Sequence, residues 1–162
     1  MQRSLSFVGA LFFGLLVIVS MTVFTVDQRQ YAIIFQLGEV KSVISEPGLV
    51  FKWPMIQNVR FFDKRILTLD SSEPERFLTA EKKPVQVDSF VKWRIHNVKQ
   101  YYISVGGDET VAKTRLMQTV NSGLREEFGR RTVHDVVSGK RESIMVEVQK
   151  KADADMRAIG VE

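Results

Sequence analysis

Cysteine is absent from the 162-residue chain. That excludes disulfide staples, thiolate nucleophiles and the cysteine-based zinc and iron-sulfur sites. Histidine is nearly as scarce, His96 and His134 being the only two. No H-E-x-x-H or other ligand spacing joins them, so no metal site is expected. Gly-rich phosphate loops are missing as well. Gly106-Gly107-Asp108 fits neither G-x-G-x-x-G nor G-x-x-x-x-G-K-[ST] and reads as a turn into a helix. Clustered charge of one sign is also lacking. The net charge is +4, from 23 basic and 19 acidic residues, and the doublets Lys82-Lys83, Arg130-Arg131, Lys140-Arg141 and Lys150-Lys151 lie far apart with acids nearby. Nucleic acid is not an expected partner, because phosphate binding needs positive charge gathered on one face.

Catalytic groups are equally hard to assemble. His134 beside Asp135 has the form of a base with its orienter, but Thr132-Val133-His134-Asp135 is accounted for as a capping box, and no nucleophile is marked. Glu126 and Glu127 are adjacent on a helix and do not face one cleft. Glu73 and Glu75 lie in a proline-containing loop, and both acid pairs read as solvated. The expectation is a non-enzyme with no catalytic, cofactor-binding or metal-ligating residue.

One long apolar run is present. Leu5 to Val26 carries no charge, and as a helix its 22 residues span about 33 Å, matching a bilayer core of about 30 Å. It exceeds the roughly 7 to 15 apolar residues of a cleaved signal peptide and lacks an A-x-A-like site. It therefore reads as a retained membrane helix ending at Leu5 and Val26, behind a short tail of residues 1–4. Ser6, Ala10 and Gly14 stand four apart on one helix face. Such a stripe lets another helix approach closely, although small residues are common in membrane helices. Arg3 and the terminal amine on one side, against Arg29 and Lys41 on the other, leave orientation undecided by charge.

Asp27 to Glu162 has the size of one domain, and the composition, 44% hydrophobic and 26% charged, is that of a globular protein. Gln30 to Gln36 is a β-type run that Leu37-Gly38-Glu39 turns towards Val40 to Ile44. Glu46-Pro47-Gly48 has the order of a type II turn. Leu49, Phe51 and Trp53 share a strand face that ends at Pro54. Shorter runs fit at Val59 to Phe62 and Ile66 to Leu69. Val85 to Ile95 alternates with period two, Val85, Val87, Val91, Trp93 and Ile95 on one face, with Phe90 as a lone apolar residue on the other. After Gly106-Gly107 the period becomes helical. Asp108 is placed as an N-cap, Ala112, Leu116, Val120, Leu124 and Phe128 recur every four residues, and Gly129 is available to close the helix. Lys140 to Ile159 reads as a second helix with Ile144, Val148 and Ala152 on one side. Ile159-Gly160-Val161-Glu162 reads as a helix stop and the start of a strand. Strands first and helices afterwards define an α+β fold, here an antiparallel-rich sheet packed with helices.

In four stretches the chain resembles the SPFH superfamily, also called band 7, and within it the HflK/C branch. They are Val26-Asp27-Gln28-Arg29-Gln30-Tyr31-Ala32-Ile33 with Phe35 to Val40; Glu46-Pro47-Gly48-Leu49 with Phe51-Lys52-Trp53-Pro54 and Phe62-Asp63-Lys64-Arg65-Ile66; Val87-Asp88-Ser89 with Val91 to Ile95; and Arg125 to Asp135. The resemblance implies a single-pass protein of the bacterial inner membrane, with its N-terminus cytoplasmic and its SPFH domain, residues 27–162, periplasmic. It also implies pairing with an HflK-like SPFH protein into a large hetero-oligomeric cage on the lipid bilayer that restrains an FtsH-type membrane protease. Family members continue into a long coiled-coil region, so the domain is expected to be C-terminally incomplete here. A non-catalytic scaffold is the leading expectation. A stomatin-like organiser of membrane domains is the alternative, and a membrane-tethered hydrolase the third.

Overall fold

A computed structural model describes residues 20, 22–71, 74–139 and 141–162. The chain divides into two compact units, Met1–Lys64 and Arg65–Glu162, rather than the single core its length suggested.

The first unit is built from β-strands. Strand β1 (Val23–Val26) pairs antiparallel with β4 (Gly48–Phe51), Val23 opposite Phe51. Strands β3 (Glu39–Ile44), β2 (Gln30–Gln36) and β5 (Gln57–Asp63) form a three-stranded sheet in that order, with a register shift between Ile34 and Phe35. In central β2 the run Ala32-Ile33-Ile34-Phe35 is buried without alternation. A strand covered on both faces reads as a continuous apolar run, each large side chain stabilising the fold by about 1.5 to 3 kcal/mol. Phe24 of β1 stacks edge-on against Phe61 of β5, centroids 6.1 Å apart, linking the two sheets.

One boundary is corrected. Val26 was expected to end a membrane helix, but residues 23–26 (VFTV) form β1, and Val26 is buried. Val and Thr, with Phe, favour the pleated surface, and the open edge of β4 supplies the hydrogen bonds, so pairing overrides the helical reading of these last residues. Leu5, with Ser6, Ala10 and Gly14, lies outside the described residues. No helix among the described residues is long and apolar enough to cross a membrane.

The second unit mixes strands with helices. Strand β6 (Leu67–Asp70) pairs with β9 (Phe90–Trp93), and β7 (Glu75–Leu78) with β8 (Pro84–Val87). The alternating run from Val85 to Ile95, expected as one strand, is therefore two strands with different partners. Asp88 and Ser89 break it, Ser89 accepting from Ser71 N–H at 3.2 Å. Its inward face agrees with the alternation, since Trp93 and Ile95 are buried and Phe90 is exposed. No sequence signal marks β7.

Helix α1 (Val98–Val105) is likewise absent from the sequence reading. Asn97 caps it by accepting from Gln100 N–H, and Gly106 closes it at φ 67°. Helix α2 (Glu109–Gly129) starts at the Asp108 cap and buries Ala112, Leu116, Val120, Leu124 and Phe128 as the period required. Gly129 is its last helical residue and Arg130 the cap, so no left-handed glycine ends this helix. Helix α3 (Arg141–Arg157) buries Ile144, Val148, Ala152 and Met156. It packs on α2 where Gly123 meets Val148: a Cβ at Gly123 would lie 3.3 Å from Val148 Cγ1. Phe128 then sits edge-on against Phe77 of β7, centroids 5.5 Å apart. Past α3, Gly160 turns the chain at φ 81° and Val161 bridges antiparallel to Ile95.

Candidate functional site

The residues weighed for catalysis have structural duties. Thr132 and Asp135 form the reciprocal capping box: Thr132 N–H donates to Asp135 Oδ2 at 3.4 Å and Asp135 N–H donates back to Thr132 Oγ1 at 3.3 Å, with Thr132 Oγ1 also donating to Asp135 Oδ2 at 2.8 Å. His134 between them is exposed. His96 lies 3.4 Å from Glu162, which also pairs with Arg94. The hydrogen bond from Arg94 holds the Glu162 carboxyl below the usual carboxylate range. Glu126 and Glu127 are not merely solvated. Glu127 takes Arg131 at 3.0 Å, and Glu126 takes Arg130 and also Lys151, tying α2 to α3. Glu75 pairs with Arg125 at 3.3 Å. Gly106 and Gly107 take φ 67° and 73° in the turn between α1 and α2, as their position implied.

An open groove of about 410 Å³ beside β6 and α2 is lined by Leu69, Asp70, Ser71, Lys113, Thr114, Met117, Gln118 and Asn121. Lys113 is engaged by Glu109 at 2.7 Å.

A feature that folding does not explain lies on the first unit. At one end of its three-stranded sheet, Gln36 pairs with both Glu39 and Gln57, so the β2–β3 turn and the β4–β5 loop are neighbours. The turn is Leu37-Gly38 at φ 53° and 91°, a type I′ geometry in which Asn-Gly is usual. Leucine in the left-handed region costs about 1 to 2 kcal/mol, and this one is 87% exposed. The loop is Lys52-Trp53-Pro54-Met55-Ile56. Trp53 is 72% exposed and Met55 is fully exposed at φ 92°. Leu49 and Phe51 of β4 do share a face, as the alternation indicated, and that face is exposed. A strained backbone that displays rather than buries its apolar side chains marks a contact surface.

A polar clamp holds this tip. Trp53 N–H donates to Gln57 Oε1 at 2.9 Å, and Gln57 N–H donates to Trp53 O at 3.1 Å. Gln57 Nε2 donates to Gln36 Oε1 at 3.3 Å, where Lys41 Nζ also donates at 2.6 Å. The buried Gln57 thus spends its amide on fixing the loop. Lys52 N–H donates to Thr22 O at 2.8 Å, so the loop begins beside Thr22, which lies within the N-terminal apolar run just before β1. The signal for the tip is present in the sequence, as Phe51-Lys52-Trp53-Pro54-Met55-Ile56 keeps four large apolar residues in a stretch that proline bars from a central strand. Strand alternation singles out only Phe51 and Trp53 and does not reach Leu37, Met55 or Ile56.

A β-rich unit is followed in sequence by an α+β unit. The profile of the SPFH domain / Band 7 family matches residues 24–162, and the chain belongs to that family. Three of its curated relatives are HflC proteins. Protein HflC of Buchnera aphidicola (from Acyrthosiphon pisum) is 36% identical over 155 residues, covering 91% of this chain and 49% of the relative. The modulator of FtsH protease HflC of Escherichia coli K12 is 39% identical over 141 residues, covering 83% and 42%. Protein HflC of Haemophilus influenzae is 49% identical over 113 residues, covering 69% and 38%. The chain spans about half the length, or less, of these relatives. The Escherichia coli relative is named as a modulator of a protease and not as a protease.

Proposed function

We propose that this chain is the membrane-proximal portion of an HflC-like scaffold, anchored by its N-terminal apolar run, that pairs with an HflK-like SPFH protein and regulates an FtsH-type membrane protease without catalytic chemistry of its own. In this reading the tip made by Leu37, Trp53, Met55 and Ile56 rests in the bilayer interface. The observation that carries it is the Lys52–Thr22 hydrogen bond, which sets the start of the exposed apolar loop beside Thr22, inside the only long apolar run in the sequence and just before β1 begins. Tryptophan beside lysine is the pairing favoured where hydrocarbon meets headgroups. The anchor runs from Leu5 to a point before Val23, and Ser6, Ala10 and Gly14 are its surface for a neighbouring helix. The N-terminus is cytoplasmic and the two units periplasmic.

Reconstituted proteolysis tests the function. In vesicles holding an FtsH-type protease and a membrane substrate, adding the chain with its HflK-like partner is expected to slow degradation at least about twofold, while the chain alone cleaves nothing. Unchanged degradation, with lateral clustering of lipid in the same vesicles, would favour the stomatin-like alternative.

A further inference from the structure

We propose that Met55 makes the apolar tip sensitive to oxidation: a hydroperoxide converts its thioether to the sulfoxide and so withdraws the tip from the bilayer. This rests on the membrane-contact reading above and names a means of regulating that contact.

Cysteine is absent, so the chain holds no thiol to intercept a two-electron oxidant, and methionine sulfur is its softest target. Among the described methionines, Met156 is buried, Met117 half-buried and Met145 39% exposed, whereas Met55 is exposed in full. The backbone keeps it so. Met55 stands at φ 92° inside a loop closed by two hydrogen bonds between Trp53 and Gln57, which prevents the side chain from folding inward.

The chemistry balances without another group. The sulfur lone pair attacks the distal oxygen of the hydroperoxide, the O–O bond breaks, and an S–O bond forms. Proton transfer to the departing oxygen releases water or an alcohol. Sulfur loses two electrons and the peroxide gains them. The product is polar and strongly hydrogen-bond accepting, and it stands in the same loop as exposed Trp53 and Ile56, where a bilayer offers it no donor. A sulfoxide reductase reverses the change.

The test uses the full chain in phosphatidylcholine vesicles with brominated acyl chains, which quench nearby indoles. Trp53 is the reporter, because the other tryptophan, Trp93, is buried. Hydrogen peroxide is expected to oxidise Met55 at least about fivefold faster than Met145 by peptide mapping, and to halve the quenching. Methionine sulfoxide reductase should restore it. Met55→Leu should be quenched like the unoxidised wild type and stay so under peroxide. Equal oxidation of Met55 and Met145, or full quenching with Met55 as sulfoxide, overturns the proposal. Absence of quenching in the unoxidised protein overturns the membrane contact itself and this proposal with it.

Discussion

Replacing Gly160 by alanine should be among the most damaging single-methyl changes in the second unit. A Cβ there would stand 2.3 Å from Asn97 O and 2.7 Å from Tyr101 N, both backbone atoms that cannot swing aside. The residue also holds φ 81°, where an L side chain costs about 1 to 2 kcal/mol. Relieving the contact would move the Gly160 carbonyl, which accepts from His96 N–H at 2.9 Å and Asn97 N–H at 3.0 Å. Each of those bonds contributes about 1 kcal/mol. The expected loss is about 3 to 5 kcal/mol, a large part of the roughly 5 to 15 kcal/mol that holds a domain together. For a unit of about 100 residues the melting temperature should fall by more than about 10 °C. Gly129→Ala is the matched control. Gly129 is helical, a Cβ there would meet nothing within 4 Å, and the change should be neutral or stabilising by up to about 1 kcal/mol. Urea titration followed by circular dichroism reads both. If the two variants agree within about 0.5 kcal/mol, the assigned role of Gly160 is refuted.

A soluble piece starting at Asp27 would lack β1, leaving the edge of β4 unpaired and removing the buried Val26; it should melt well below a piece starting at Thr22, as differential scanning fluorimetry can show. Gln57→Ala should cost about 1 to 3 kcal/mol by stranding Trp53 N–H, and limited proteolysis should cut the Trp53 to Ile56 loop faster than in the parent. Glu162 and Glu126 are held below the usual carboxylate range, chiefly by hydrogen bonds from Arg94 and Lys151 respectively. A depressed folded pKa gives stability that is present above the unfolded value of about 4.3 and lost as pH falls through the folded one, so acid should weaken the second unit below about pH 4 and Glu162→Gln should flatten that limb of the urea-midpoint profile.

The helices of the second unit are legible in the sequence because their burial is one-sided: Ala112 to Phe128 and Ile144 to Ala152 recur at the helical period, and Asp108 and the Thr132–Asp135 box are local signals that need no tertiary partner. α1 escapes because its eight residues include Tyr101, Tyr102, Ile103 and Val105, which read as β-type, and only Asn97 and Gly106 betray its ends. The break at Asp88 and Ser89 is invisible to a period count, since alternation persists across it while the pairing partner changes from β7 to β6. Val23 to Val26 mislead for a related reason. Apolar β-branched residues suit a bilayer helix and a covered strand alike, and only the distant β4 decides between them. The tip is half legible. Phe51 and Trp53 stand out, but that they face outward depends on the Gln36–Gln57 clamp, which joins residues 21 apart in sequence.

Chemical crosslinking in cells, followed by purification of the tagged chain, tests the central claim most directly. The proposed role predicts recovery of an HflK-like SPFH protein together with an FtsH-type protease, both above a control of equal abundance in the same membrane. Recovery of neither, from membranes where both are present and the chain is folded, would contradict it.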